Sequence, residues 1–327
     1  MPLPTPAELD AAAARVAGHV FRTPLVRLPL AVGAPVFAKA ENLQRTGSFK
    51  LRGASNFLGR LDLEVRQRGV VTHSSGNHAQ GVACAAADFG VPAAIVIPHG
   101  APGVKVARTL AWGARVERCD NDKASREGAA ARLAAELGAT IVPPYDHPWI
   151  IEGQATVGLE ILRDLPDVAN VLVCVGGGGL IAGIAAALRG HGCTAQIVGV
   201  EPAWAADAGE SFARGEIVTW PAEAVVRTIA DGVRTQSLGE HTFEVIRRTV
   251  DAFIAVDDEA ILDATAWYLR EAHLTVEPTG ALALAAYRAL GRGEGPLRLR
   301  PGPTVLLVSG GNADPDAIVD AARRPLD

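Results

Sequence analysis

The sequence predicts an α/β protein of two units, each a parallel-rich sheet covered by helices. Continuous apolar, β-branched runs recur at 69–72, 93–97, 115–117, 170–175, 196–200 and 304–308, the pattern of strands buried on both faces. Alanine-rich stretches of helical length separate them, such as 78–89, 125–137 and 180–188. Strand–helix alternation of this kind points to parallel sheets. Two of the strand-like runs also end in a small-residue turn that opens directly into a helix, the arrangement by which open α/β sheets bind ligands.

The elements follow in order. Thr5, Pro6 and Glu8 read as a helix start, with Thr5 as cap and Glu8 reaching back to it. Residues 35–41 read as a strand, then Ser48 as the cap of a helix that carries Lys50 in its first turn. The prolines Pro143, Pro144 and Pro148 mark a crossing between units. The expected division is a discontinuous larger unit of residues 1–68 and 146–327 and a smaller one of 69–145.

Composition narrows the function. The chain has 327 residues, 49% hydrophobic and 20% charged, an ordinary globular mixture. A net charge of −5 with scattered arginines offers no basic face for nucleic acid or anionic membrane. No apolar run is long enough to span a bilayer, and the N-terminal stretch carries Asp10, Arg15 and His19, unlike a secretory leader. The four cysteines (Cys84, Cys119, Cys174 and Cys193) are dispersed, which fits reduced thiols in a cytoplasmic protein.

Three segments carry chemistry. In Cys174-Val175-Gly176-Gly177-Gly178-Gly179-Leu180 a strand ends in four glycines before a helix. Such a turn aims consecutive N–H groups at an anion, although a merely tight turn uses the same residues. Gly177, Gly179 and Ala182 also satisfy a relaxed dinucleotide pattern, and Glu201 ends the next strand 22 residues after Gly179, where a ribose-binding acid would sit. A nicotinamide or flavin enzyme therefore stays open on this segment. Only four lysines occur, at 39, 50, 105 and 123. Lys50 alone follows a Ser-Phe turn, and a helix start should lower its pKa toward the neutral amine that a Schiff base needs. The third segment, Thr72 to Gly81, clusters hydroxyls and free N–H groups at a strand end and suits a carboxylate. His73 and His78 lack a third metal ligand nearby in sequence, so capping or core roles fit them best.

Taken in order, Glu41-Asn42-Leu43-Gln44, Ser48-Phe49-Lys50-Leu51-Arg52-Gly53-Ala54, Ser74-Ser75-Gly76-Asn77-His78, Gly176 to Leu180 and Ser309-Gly310-Gly311-Asn312 resemble the fold-type II (tryptophan synthase β-like) enzymes of pyridoxal 5'-phosphate (PLP), in the branch of threonine dehydratase and serine racemase. The resemblance spans nearly the whole chain. It implies that Lys50 forms the Schiff base and moves the α-proton. Phe49 would pack on the cofactor ring, Asn77 would bond its 3-hydroxyl, and Gly176, Gly177, Gly178, Gly179 and Leu180 would hold its phosphate. Ser309 would face the pyridine nitrogen and Gly232 would lie against the ring. Ser74, Ser75, Gly76 and His78 would bind the substrate carboxylate. It implies also that the larger unit binds the cofactor, that the smaller is mobile, and that the protein is a homodimer.

A hydroxyl at Ser309 cannot hold a pyridinium proton as a carboxylate would, so loss of a β-substituent is favoured over a fully developed carbanion. In that chemistry the cofactor phosphate helps protonate the departing hydroxyl, and the products are a 2-oxo acid and ammonia. Glu201-Pro202-Ala203-Trp204-Ala205-Ala206-Asp207 resembles the cation site of the racemase-like relatives. Glu201, Asp207 and the Ala205 carbonyl would take Mg2+, Mn2+ or Ca2+ there. A strand-end acid and a helix cap are the plainer roles for those two acids.

The resemblance is mixed in detail. Many threonine dehydratases have alanine where this chain has Ser75, whereas serine racemases place a serine acid/base there, on the face opposite the lysine. Pro144-Tyr145-Asp146-His147-Pro148 and Val276-Glu277-Pro278-Thr279-Gly280-Ala281 resemble the dehydratases instead. The chain ends soon after Asn312, which leaves no room for a regulatory domain. The expected activity is dehydration of L-serine or L-threonine, with serine racemase and 3-hydroxyaspartate dehydratase as alternatives.

Overall fold

The computed structural model describes residues 3–30, 33–74, 76–101, 103–120, 123–295 and 297–324, and of residues 104, 105, 123 and 317 the backbone alone. Ten strands run along the described chain: β1 (Leu25–Arg27), β2 (Val36–Ala40), β3 (Val70–His73), β4 (Ala93–Pro98), β5 (Arg115–Cys119), β6 (Thr140–Ile141), β7 (Asn170–Cys174), β8 (Gln196–Pro202), β9 (Ala252–Val256) and β10 (Thr304–Val308). They form two sheets. A six-stranded sheet has the order β1-β2-β10-β7-β8-β9, and a four-stranded sheet has the order β5-β4-β3-β6.

Every neighbouring pair is parallel except β1 with β2. The central strands β7 and β10 are buried at every residue, as strands covered on both faces must be. Their apolar side chains and those of the covering helices make one continuous core. The six apolar runs read from the sequence are all strands here. Three strands lie outside those runs. β1 and β6 are too short for any period to register, whereas β9, Ala-Phe-Ile-Ala-Val, is apolar throughout but only partly buried. Hydrogen bonding to a longer neighbour decides β1 and β6, not their own composition.

The first helix, Pro6–Val16, has the capping box expected of Thr5 and Glu8. No helix among the described residues is long and apolar enough to cross a membrane.

One helix acts as an axle. Pro148–Asp164 packs on the helix Lys50–Arg60 on one side and on Gly179–Gly190 on the other. Both contacts bring backbones together. A Cβ on Gly153 would lie 2.6 Å from the Gly53 Cα, and one on Gly183 would lie 2.6 Å from Ala155 N and Ile151 O. Only glycine permits such approach. The Lys50 helix also shares a core with the smaller sheet, through Leu51, Ala54, Phe57 and Leu58 against Val70, Ala79, Val82 and Ile95. The ends of β3, β7 and β10 are thereby held around Lys50.

Candidate active site

Lys50 is the first residue of the helix Lys50–Arg60. The expected Ser48 cap is not formed. Phe49 is the N-cap, already helical at φ −59° and without a side-chain cap bond, and the Ser48 hydroxyl has no partner among the described residues. The reason is a competing backbone interaction. Ser48 forms an antiparallel bridge with Gly310, and Phe49 N donates to Ser309 O at 3.1 Å. The turn before Lys50 is stitched to the end of β10, which places Ser309 beside it.

The Lys50 amine donates to the Pro144 carbonyl at 2.7 Å and lies 5.1 Å from the Phe49 ring centroid. Burial lowers its pKa from 10.5 to about 8, opposed by the nearby Cys174 thiol. The direction matches the expectation, but desolvation outranks the helix terminus as its cause. Lys39 offers no such amine. It is fully buried, donating to Glu160 at 2.5 Å and to the Thr23 carbonyl at 2.6 Å. Arg52 joins that network through two 2.8 Å bonds to Glu41 and bonds of 2.7 and 2.9 Å to Glu160. Lys105 and Lys123 sit on the helices Gly103–Ala111 and Lys123–Leu137, and their side chains lie outside the described residues.

The glycine segment joins β7 to the helix Gly179–Gly190. Among the described residues, no acceptor meets the N–H groups of Gly177, Gly178, Gly179 or Leu180. Unpaired donors at a helix N-terminus suit an anion such as phosphate. Protein packs closely around the segment. A Cβ on Gly177 would lie 2.4 Å from the Tyr145 ring, and one on Gly176 would lie 3.1 Å from the Val233 Cα. Gly178 has φ +90°, where L side chains are strained. Gly232, in the turn Asp231–Val233, donates to the Thr279 hydroxyl at 3.0 Å.

The dinucleotide reading fails on its acid. Glu201 is 2% exposed, and its two oxygens accept from Ala208 N at 2.8 Å and Gly209 N at 2.7 Å. Buried behind those two N–H groups, the carboxylate is closed to a ribose hydroxyl.

At the end of β3, Asn77 opens the helix Asn77–Phe89. Its Nδ2 donates to Glu277 at 2.7 Å, and its Oδ1 accepts from Asn312 at 2.8 Å. These contacts fix the amide orientation and leave one N–H for a further acceptor. Ser74 Oγ accepts from Gly76 N at 3.2 Å. His78 is buried, with Nε2 3.2 Å from the Val142 carbonyl. Desolvation, assisted by the Lys50 charge, lowers its pKa to about 3. The imidazole is therefore neutral and its N–H is committed to Val142, so the donors left for a carboxylate are backbone N–H groups at the helix start. Ser75 lies outside the described residues. Ser309 is 1% exposed, and beyond the neighbouring Cys174 thiol its hydroxyl has no hydrogen-bond partner among the described residues, so a buried polar group is left with capacity to spare.

Glu201, Ala205 and Asp207 lie together at the start of the helix Asp207–Arg214. Burial raises Glu201 well above its usual pKa, and the Asp207 charge raises it further. Burial likewise lifts Asp207 to about 7. Asp207 Oδ2 is buried without a partner among the described residues. Two repelling buried carboxyls, one with an orphaned oxygen, fit a hard divalent cation. No group of three His, Cys, Asp or Glu side chains occurs among the described residues, so a carbonyl such as that of Ala205 would have to complete the set.

Several residues of this site had no role assigned from the sequence. Glu277 and Asn312 orient Asn77, the Pro144 carbonyl accepts a hydrogen bond from the lysine, and Tyr145 covers Gly177. The motifs containing them were legible; their meeting required the fold. A cleft of about 610 Å³ lined by Arg45, Arg108 and Trp112 adjoins the site through Gln80, Gly311 and Asn312, and Arg108 donates to Asn312 at 2.5 Å.

Comparison with known proteins agrees with this geometry. The chain is 42% identical over 306 residues to the L-threo-3-hydroxyaspartate ammonia-lyase of Pseudomonas sp, covering 93% of each. It is 44% identical over 295 residues to the L-threonine ammonia-lyase of Geobacter sulfurreducens, covering 90% of this chain and 71% of that protein. The structure of maize serine racemase superposes with a TM-score of 0.93 at 39% identity, covering 98% of this chain and 97% of the maize chain. Residues 16–310 match the model of the pyridoxal-phosphate dependent enzymes, and the chain belongs to that family.

Proposed function

We propose that this enzyme dehydrates L-threonine or L-serine, releasing a 2-oxo acid and ammonia. The observation that carries the reading is the partly buried Lys50 amine, lowered to about 8, on a turn bonded to the backbone of the buried Ser309, in a chain whose glycine segment keeps N–H groups without an acceptor among the described residues. PLP, when bound, supplies an aldehyde for amine attachment and an electron sink for charge developing at Cα. Lys50 holds the cofactor and takes the proton from Cα as general base. Gly176 to Leu180 bind its phosphate, Asn77 orients its 3-hydroxyl, and Phe49 and Gly232 bound its ring. Ser309 meets the pyridine nitrogen with a neutral hydroxyl, which favours elimination over a long-lived carbanion. Ser74, Ser75, Gly76 and His78 take the substrate carboxylate, His78 through its backbone because its ring is neutral.

The test is a panel of serine, threonine and 3-hydroxyaspartate, followed for 2-oxo acid and for enantiomer. Failure to form 2-oxo acid from any of them would overturn the reading. A second reading, serine racemase, is favoured by the serine at position 75. Racemisation needs a proton carrier on the face opposite Lys50, and we assign Ser75 to it. Ser75→Ala should abolish interconversion of enantiomers while dehydration survives in part; equal loss of both would assign Ser75 to binding alone.

Glu201, Ala205 and Asp207 are proposed to hold magnesium, with manganese and calcium as substitutes. The enzyme is further proposed to be a cytoplasmic homodimer whose smaller unit, 69–145, moves against the larger cofactor-binding unit, 1–68 with 146–327. The four cysteines form no disulfide with one another, which supports the reducing compartment. Light scattering of the purified protein checks the oligomeric state, and a monomer would refute it.

A further inference from the structure

Asp146 takes no part in the site above, yet it sits next to Tyr145, whose ring covers Gly177. Its carboxylate accepts three backbone N–H groups: Glu240 at 3.0 Å on Oδ2, then His241 at 2.9 Å and Thr242 at 3.2 Å on Oδ1. These are the first residues of the helix Glu240–Thr249. Asp146 therefore caps that helix from 94 residues away. The residue before the helix is Gly239, which has no side chain to cap with, and a Cβ there would lie 2.1 Å from the Asp146 carboxyl. A carboxylate at a helix N-terminus satisfies orphaned donors and is favoured by the helix dipole.

The third residue of that helix reaches the glycine segment. Thr242 is fully buried. Its hydroxyl accepts from Gly239 N at 3.0 Å and has two carbonyls in reach of its single proton, Gly177 at 2.8 Å and Gly239 at 3.0 Å. The shorter contact is to Gly177, which a long 3.5 Å bond from Gly239 N also meets. No cis peptide occurs among the described residues. In a trans peptide the carbonyl and the following N–H point in opposite directions. Drawing the Gly177 carbonyl onto Thr242 turns the Gly178 N–H to the opposite side, and that N–H has no acceptor among the described residues. Glycine on both sides of this peptide leaves it free to rotate unless something holds it.

We infer that Asp146 and Thr242 are positioning residues for the phosphate cradle: Asp146 fixes the helix start, and Thr242 fixes the peptide whose N–H faces the anion. The inference rests on the reading of Gly176 to Leu180 as a phosphate site. It extends that site to a second helix and to the segment that returns from the smaller sheet.

The experiment compares equilibrium binding of PLP with that of pyridoxal, which lacks the phosphate, by absorbance and fluorescence titration. Thr242→Val keeps the shape and removes the hydroxyl. It should weaken PLP about tenfold, the loss of one hydrogen bond that pre-organises a charged contact, and leave pyridoxal unchanged. Thr242→Ser should restore the preference for PLP. Asp146→Asn keeps an acceptor but drops the charge, and should weaken PLP about threefold, again sparing pyridoxal. It carries the test by itself if Thr242→Val does not fold. The phosphorus resonance of bound PLP should shift in both weakened variants. Equal weakening of PLP and pyridoxal, or an unchanged PLP affinity, would overturn the inference and leave both residues a purely structural role. A wild-type chain with no preference for PLP over pyridoxal would instead remove the cradle reading beneath it.

Discussion

The molecule builds one device twice, and the two copies differ in how tightly they are enclosed. β3 and β7 are both parallel strands that end in a short turn and open into a helix, one in each sheet. After β7 the turn is all glycine, and a side chain at any of its four positions would be crowded, most severely at Gly177 and Gly178. A Cβ would approach other atoms to 3.1 Å at Gly176, 2.4 Å at Gly177, 2.9 Å at Gly178 and 3.1 Å at Gly179. After β3, a Cβ on Gly76 would meet nothing within 4 Å, and its φ of −134° needs no glycine. The first turn is a mould shaped by surrounding protein. The second is open, and its specificity comes from which polar groups line it. A fixed mould suits a group that every turnover shares, and an open turn suits a substrate that must enter and leave.

Substitutions can break or sharpen this contrast. The largest effect is expected where the two turns converge, at Lys50. Lys50→Ala should lose all turnover and all borohydride-trappable PLP; peptide mapping that found the cofactor on Lys39, Lys105 or Lys123 would dismantle the site. Gly178→Ala comes next. It combines strain at φ +90° with contacts of 2.9 Å to Ile246, Leu238 and Thr242, and should cost about 2–4 kcal/mol in urea unfolding. A silent Gly178→Ala would mean that the mould is softer than its packing.

Chelation acts at neither turn and should have an intermediate effect. If magnesium holds Glu201 and Asp207 together, removing it at 100-fold saturation should cost about 2.7 kcal/mol, read as a lower Tm that magnesium or manganese restores. No change in Tm with a chelator would reduce those carboxylates to a cap and its neighbour.

A pH dependence follows from Lys50. Its folded pKa of about 8 lies below the ordinary 10.5. Between those values the unfolded chain binds more protons, so the group's unfavourable contribution to stability is complete below about pH 8 and fades as pH rises toward 10.5. The neutral amine that captures PLP should accordingly appear across about pH 8. The rate of cofactor capture should rise through that value in stopped-flow absorbance, and a midpoint near 10.5 would contradict the buried setting. The smallest effect belongs to the open turn. Gly76→Ala should stay within about 0.5 kcal/mol of the parent in urea unfolding, and a large loss would mean that the two turns are alike after all.

The sequence by itself determined four of the six strands of the larger sheet (β2, β7, β8 and β10), the first helix with its capping box, the four-glycine turn and the singling out of Lys50. These signals are local: a run of apolar residues, a cap three residues from its partner, a turn whose glycines adjoin a helix. Short-range sterics and hydrogen bonding write them directly into neighbouring residues. Tertiary structure decided what depends on distant groups meeting. Ser48 reads as a cap, but a bridge to Gly310 claimed its backbone. Glu201 reads from the sequence as a ribose acid, a cation ligand or a strand-end acid, and only its burial against Ala208 and Gly209 removed the first. Burial set the Lys50 and His78 pKa values, and burial is a property of the assembled core. Asp146 lies in a segment that resembles the dehydratases, but neither it nor Thr242 carries a local signal of its role. Their roles exist because a helix that lacks its own cap packs beside a glycine turn, and a packed interior satisfies such groups with whatever lies within reach.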